Sequence, residues 1–187
     1  MLLNSHKRCG IAFIDSTPLR VCTNRRIPRH KTFAQYAQRA KSSVDWYYGF
    51  KLHLVIDDNG ELISFLISAA NFDNRKALAQ MAKFIQGKLY ADKGYISKAL
   101  KQSLKEQCIV RKNMKKEALS DFDRVILRKR TLIETVFGQL KSISQIEHSR
   151  HRSLLGFMIN VLAGLIAYSW KTDKPSLNLR LNPDFSE

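Results

Sequence analysis

Hydrophobic and polar positions change period several times along the chain, and each change marks an element. Ile11, Ala12, Phe13 and Ile14 follow one another without alternation and run into Asp15, with Pro18 just beyond. Cys9 to Leu19 therefore predicts a strand buried on both faces and closed by a turn signal. From Arg20 to Lys41, a stretch rich in Arg, Lys and Gln, no clear period holds, which predicts a surface loop and a candidate nucleic-acid contact. From Trp46 the period is two. Tyr48, Phe50, Leu52, Leu54 and Ile56 face one way, and Tyr47, Gly49, Lys51, His53 and Val55 the other. Turn residues at Asp57-Asp58-Asn59-Gly60 join this strand to a second one over Leu62 to Ala70, making a hairpin.

Helical spacing takes over next. Leu78, Met81, Ala82 and Ile85 predict a helix over Asn74 to Gln86, capped by Asp73 or Asn71. Lys88 to Ala91 is a short apolar piece leading to Asp92-Lys93-Gly94, then a helix from about Tyr95 to Gln107 and a short strand at Cys108 to Val110. A long helix over Asp121 to Ser144 and an apolar one over Leu154 to Trp170 complete the order. The tail, Lys171 to Glu187, carries Pro175 and Pro183 and is expected to be loosely attached. The order of elements describes one α/β domain with a mixed sheet over residues 1–170, without internal repeats.

Leu154 to Trp170 contains no charged residue, which raises the question of a membrane span. It falls short of the roughly 20 residues a span needs and is interrupted by Gly156, Asn160 and Gly164, so a buried terminal helix is expected. Met1 to Gly10 is short and polar, with no export signal behind it. Cys9, Cys22 and Cys108 form no Cys-x-x-Cys pair, so neither a disulfide framework nor a zinc ribbon is indicated. A reducing cytosol fits best.

The chain has 187 residues, 44% hydrophobic and 26% charged, enough for a single core and unlike a disordered protein. Its 32 Lys and Arg against 16 Asp and Glu leave a net charge of +16. The bases spread over Arg20 to Lys51, Arg111 to Lys116 and Arg124 to Arg152, so a polyanion is the expected partner and nucleic acid the commonest one. An acidic membrane surface, or solubility alone, would also account for the excess.

Three acids stand out against this background. Asp15 and Asp92 each directly follow an apolar strand-like run, and strand ends in open α/β sheets are where ligands bind. Glu134 lies between Arg130 and Lys141 within a helical pattern, the three falling within an arc of roughly 40°. If the two strands are neighbours, the three carboxylates converge into the oxygen-donor set that a hard divalent cation takes. Two such ions about 3.5–4 Å apart can drive in-line phosphoryl displacement, while the surrounding bases hold the phosphate backbone. The bland readings stand beside this one: Asp15 and Asp92 as turn or helix caps, and Glu134 as the partner of Arg130 at i,i+4. Asp57 and Asp58 read as turn residues and Asp73 as a helix cap. His148 and His151 lack an acid or Cys at ligand spacing and read as a solvated basic turn. Lys51 and His53 share the strand face opposite the apolar one, directed either at bound DNA or at solvent.

The set Ile14-Asp15-Ser16, Tyr48-Gly49-Phe50-Lys51-Leu52-His53, Tyr90-Ala91-Asp92-Lys93-Gly94-Tyr95 and Arg130 to Lys141 resembles, in order, the catalytic domain of DDE transposases of bacterial insertion sequences. Among them it looks closest to the nine-eight-two family, and the resemblance runs from about Ile11 to Trp170. It implies a ribonuclease H-like α/β fold with a mixed sheet flanked by helices. Asp15, Asp92 and Glu134 would be the catalytic, metal-binding acids for two Mg²⁺ ions, with Mn²⁺ able to substitute. Arg130 and Lys141 match the bases flanking the family's glutamate, and Lys51, His53, Lys93, Arg130 and Lys141 are the expected DNA contacts. The implied activity is cleavage and strand transfer of an insertion element, with DNA, both the element's ends and its target, as partner. No membrane is implied, and a homodimer is left open. The expected location is the bacterial cytoplasm, on the nucleoid when bound to DNA.

Two departures qualify the match. Related transposases carry Tyr three positions before the matching Arg, where this chain has Leu127. They also carry a substantial end-recognising segment before the first acid, where this chain has a short one, so a truncated copy is expected. The alternatives are a nuclease of the same fold without strand transfer, and an inactive DNA-binding remnant.

Overall fold

The computed structural model describes residues 10–82, 85, 87–95, 109–111, 120–147, 150–177 and 179, with backbone alone at 93 and 109–111. The expected helix over Tyr95 to Gln107, apart from its first residue, and the positions of Cys9, Cys108 and His148 lie outside the described residues. Strands β1 (Ile11–Cys22), β2 (Gln38–Lys41), β3 (Trp46–Asp57), β4 (Leu62–Ala69), β5 (Lys88–Ala91) and β6 (Ile109–Arg111) form one mixed sheet. β1 runs antiparallel to β3 from Ala12 opposite Asp57 to Cys22 opposite Tyr48. Beyond β3 lie β4, along Phe50–Ile56, and β2, along Trp46–Gly49. On the other side β5 pairs parallel with β1, and β6 parallel with β5. Mixed pairing flanked by helices makes this an α/β fold, consistent with the expected ribonuclease H-like type.

The period-two pattern of β3 holds in space. Its even positions, Phe50, Leu52, Leu54 and Ile56, join Phe13, Leu19 and Val21 of β1 in the larger core. Over that face lie α2 (Asp121–Arg128), α3 (Thr131–Ser142) and α4 (Leu154–Ser169), which contribute Ile126, Ile133, Val136, Leu140, Phe157, Val161 and Leu165. A smaller core on the opposite face joins Ala12, Ile14, Val55 and Leu89 to Leu78 and Met81 of α1 (Asn74–Met81). Asp73 caps α1, accepting from the Arg75 amide. At Gly49 a Cβ would collide with the Leu19 carbonyl, so the crossing of β3 on β1 requires glycine there.

Several expectations are corrected. β1 does not stop at Pro18 but continues to Cys22. The Pro18 carbonyl accepts from Lys141 Nζ at 2.7 Å, on the edge of β1 that β5, paired only with Ile11–Ile14, has already left. N and C=O of one strand residue face the same way, so the missing N–H of Pro18 costs the β1–β3 ladder nothing. The Arg20 to Lys41 stretch is no featureless loop: it contains β2 and buries Phe33 against Phe50 and Phe157, with ring centroids 5.8 and 5.7 Å apart.

The long helix expected over Asp121 to Ser144 is two helices. α2 is anchored at β5, where Asp123 accepts from Tyr90 Oη at 2.7 Å and from Lys88 Nζ at 3.1 Å. α3 lies along β1. One straight helix would have to meet both anchors, and the chain turns at Lys129 and Arg130 instead. The terminal helix is buried on one side only. Phe157, Val161, Leu165 and Tyr168 face inward, while Leu155, Ile159, Leu162 and Ile166 stay exposed. The start of the tail is not loose either: the Leu177 amide donates to the Asp58 carbonyl at 2.8 Å, and Lys174 pairs with Glu61 at 3.0 Å.

Ile133 is fully buried beneath α3, whereas Ile159 on α4 is 56% exposed. Urea denaturation is expected to show Ile133→Ala lowering stability by about 2–5 kcal/mol and Ile159→Ala changing it by no more than about 0.5 kcal/mol.

Candidate active site

The two aspartates reach one crevice through strand register. Parallel pairing of β1 with β5 ends at Ile14 opposite Ala91; the next residues are Asp15, still within β1, and Asp92, just past the end of β5. Asp15 is thus not at a strand end, as the apolar runs predicted, but midway along β1 where its neighbour gives out. Its odd position directs it to the face covered by α3. There Glu134 sits in the first turn of α3, where the helix dipole favours a carboxylate. Arg130, immediately before that turn, puts Nη1 3.7 Å from Asp92 Oδ1.

The acids act on one another. Burial is the largest influence on Asp15 and raises its carboxyl above the usual range; the Asp92 and Glu134 charges push the same way, against the Ser16 amide and Arg130. That amide donates to Asp15 Oδ1 at 2.8 Å. Asp92 and Glu134 themselves are exposed. Among the described residues no three Asp, Glu, His or Cys side chains stand close enough to hold a single ion between them. The three carboxylates share a field but do not form a closed coordination sphere.

A hydrogen-bonded chain lies under this crevice on the other face of the sheet. Tyr95, three residues past Asp92, shares a hydrogen bond with the Ser16 side chain. His53, opposite Ser16 in register, places Nδ1 3.1 Å from the Tyr95 hydroxyl and Nε2 3.0 Å from Ser68 Oγ. Ser68 donates to the Ala69 carbonyl, so its oxygen is left to accept from His53 Nε2–H, and Nδ1 accepts from Tyr95. That arrangement is the one a neutral His53 makes. Burial, with Lys51 adding to it, holds the imidazole down at about 3.

The residues expected to touch DNA separate accordingly. His53 is fully buried and has no surface to offer DNA, a correction that follows from α1 and Tyr95 covering the face that the sequence left open. Lys51 is half-buried and binds the Phe72 carbonyl and Asn74 Oδ1 at 3.1 and 3.0 Å. Lys141 holds Glu147 at 2.8 Å as well as the Pro18 carbonyl, clamping α3 to β1. Arg130 remains beside the acids, and the Lys93 side chain lies outside the described residues. Tyr95 and Ser16 were missed as site residues; their position directly beside the two aspartates in the motifs was the available signal.

The family model described as the transposase DDE domain matches residues 5–154, four-fifths of the chain. The chain belongs to the DDE transposases. No curated protein matches it. Membership makes this domain an enzyme family member acting on DNA, which agrees with its basic balance. No helix among the described residues is long and apolar enough to cross a membrane. The chemistry of Asp15, Asp92 and Glu134 suits the divalent metals that DDE transposase domains use. The three supply only hard oxygen donors, and their mutual repulsion at Asp15 is the kind that a cation relieves.

His53 gives the domain a pH-dependent stability whose sign is fixed. Its pKa in the fold, about 3, lies below the ordinary 6.5, so the unfolded chain takes up a proton that the fold refuses. This contribution is complete above pH 6.5 and is lost as pH falls toward 3. Urea midpoints at pH 7 and pH 5 are expected to show the unsubstituted domain losing about 2 kcal/mol more than His53→Gln between the two.

Proposed function

We propose that this domain cuts DNA at insertion-element ends and joins the freed ends to target DNA, with Asp15, Asp92 and Glu134 holding two Mg²⁺ ions, for which Mn²⁺ can substitute. The observation that supports this reading best is that Asp15 on β1 feels the charges of Asp92, just past β5, and of Glu134 on α3 at the point where β5 leaves β1. Bound there, the ions would activate the attacking oxygen and stabilise the leaving one. Each residue's own task follows from its setting. Asp15, half-buried and fixed by the Ser16 amide, is the rigid ligand. Asp92 and Glu134 are exposed and can adjust to the ions and to the scissile phosphate.

Arg130 offsets carboxylate charge through Asp92 and brings a cation to the point where a phosphate would enter. The Ser16, Tyr95, His53 and Ser68 chain holds the two aspartate-bearing segments in register from the opposite face. Lys51 and His53 serve this scaffold rather than DNA. Strand transfer, and the nine-eight-two family in particular, rest on the motif order and on the family.

The test is an end-DNA cleavage and joining assay with Mg²⁺ alone and with Mn²⁺. Asp15→Asn, Asp92→Ala and Glu134→Gln are each expected to lower metal-dependent cutting by at least about 100-fold while DNA binding persists. Cutting without joined products would identify a nuclease. Steep salt-dependent binding with no cutting in any metal would identify a DNA-binding remnant.

A further inference from the structure

Beyond the carboxylates, a groove of about 1280 Å³ opens at the far end of β1, lined among others by Arg20, Arg25, Val44, Trp46, Lys141 and Glu147. Pockets for small molecules span roughly 300–1,000 Å³, so this open volume suits a run of polymer. Charge narrows the choice of polymer. From Ser16 to Val44 the chain carries Arg20, Arg25, Arg26, Arg29, Lys31, Arg39 and Lys41 and no Asp or Glu. The groove's two acids are already engaged: Glu147 takes Lys141 at 2.8 Å and the Arg20 amide at 3.0 Å, and Asp45 takes the Trp46 amide at 2.6 Å. Arg20 and Arg25 stay exposed.

Trp46 narrows the choice further. It is 46% exposed, an unusual setting for a side chain whose burial would be favourable. Arg39, which does not line the groove, stacks its guanidinium 5.1 Å from the ring centroid and so fixes the indole from outside. A fixed, exposed aromatic ring beside exposed arginines is a stacking platform, and only a base out of its duplex can use it. The position also fits. At about 3.3 Å per residue, Pro18 lies roughly 10 Å and Cys22 roughly 23 Å along β1 from Asp15. At the roughly 3.4 Å per nucleotide of a duplex strand that distance takes about three to seven nucleotides, and a more extended unpaired strand needs fewer.

We propose that the groove binds an unpaired stretch of DNA leading away from the carboxylates, with Trp46 stacking on a base and Arg20 and Arg25 holding phosphates. This rests on the DNA-cutting reading for the origin of the strand, but it is tested apart from it. The chain has two tryptophans, and Trp170 is 80% exposed, so Trp170→Phe leaves Trp46 as sole reporter. In that background, a short oligothymidylate is expected to quench the fluorescence in a salt-dependent way, and a blunt duplex of equal length much less. In the full chain, Trp46→Ala is expected to weaken oligothymidylate binding by about 5- to 150-fold, and Trp46→Phe to restore most of it. Equal quenching by single strand and duplex, or unchanged binding in Trp46→Ala, would overturn the proposal. Full quenching in Asp92→Ala without cutting supports the groove as a separate site. Full quenching in a chain that never cuts supports it too, and overturns only the catalytic reading.

Discussion

The fold turns on the point where β5 stops pairing with β1. Up to Ile14, β1 lies between β3 and β5 and its side chains are buried on both faces. From Asp15 on, no described strand pairs with one edge while β3 still holds the other to Cys22. The acid Asp15 follows the core run where the neighbouring strand ends. The same opening spares the ladder the missing donor of Pro18 and leaves its carbonyl for Lys141, so α3 docks where it can bring Glu134 toward the aspartates.

Opposing physical demands are divided between the two faces of the sheet. On the helical face, acids crowd a half-buried position at the expense of raising Asp15, with Arg130 as partial offset. On the other face, the same segments are tied by neutral hydrogen bonds through Tyr95 and His53, which carry no charge to disturb the acids above. Register makes this division possible, since neighbouring residues on one strand, Asp15 and Ser16, point to opposite faces. A motif spelled in adjacent letters thus serves two functions.

The basic excursion between β1 and β3 shows the same economy. Phe33 enters the core against Phe50 and Phe157, which fixes the segment and lets its arginines stand out toward solvent. Lys141 works inward as well: it holds Glu147 and a backbone carbonyl while it lines the groove at the far end of β1.

Local pattern alone determined the β3–β4 hairpin, the alternation along β3, the Asp73 cap and the three acids worth pursuing, because each depends on side-chain period or on neighbours a few residues away. Pattern could not determine that β1 passes through Pro18, that one helical run breaks at Arg130, or that an apolar helix keeps Leu155 and Ile159 outside. Each of these depends on which surface a distant segment covers. His53 makes the difference plainest: in sequence it sits on the polar face of a strand, and only the packing of α1 and Tyr95 turns that face inward. That Asp15 feels the charges of Asp92 and Glu134 likewise depends on strand order, which follows from long-range pairing and is not encoded in any one segment's period.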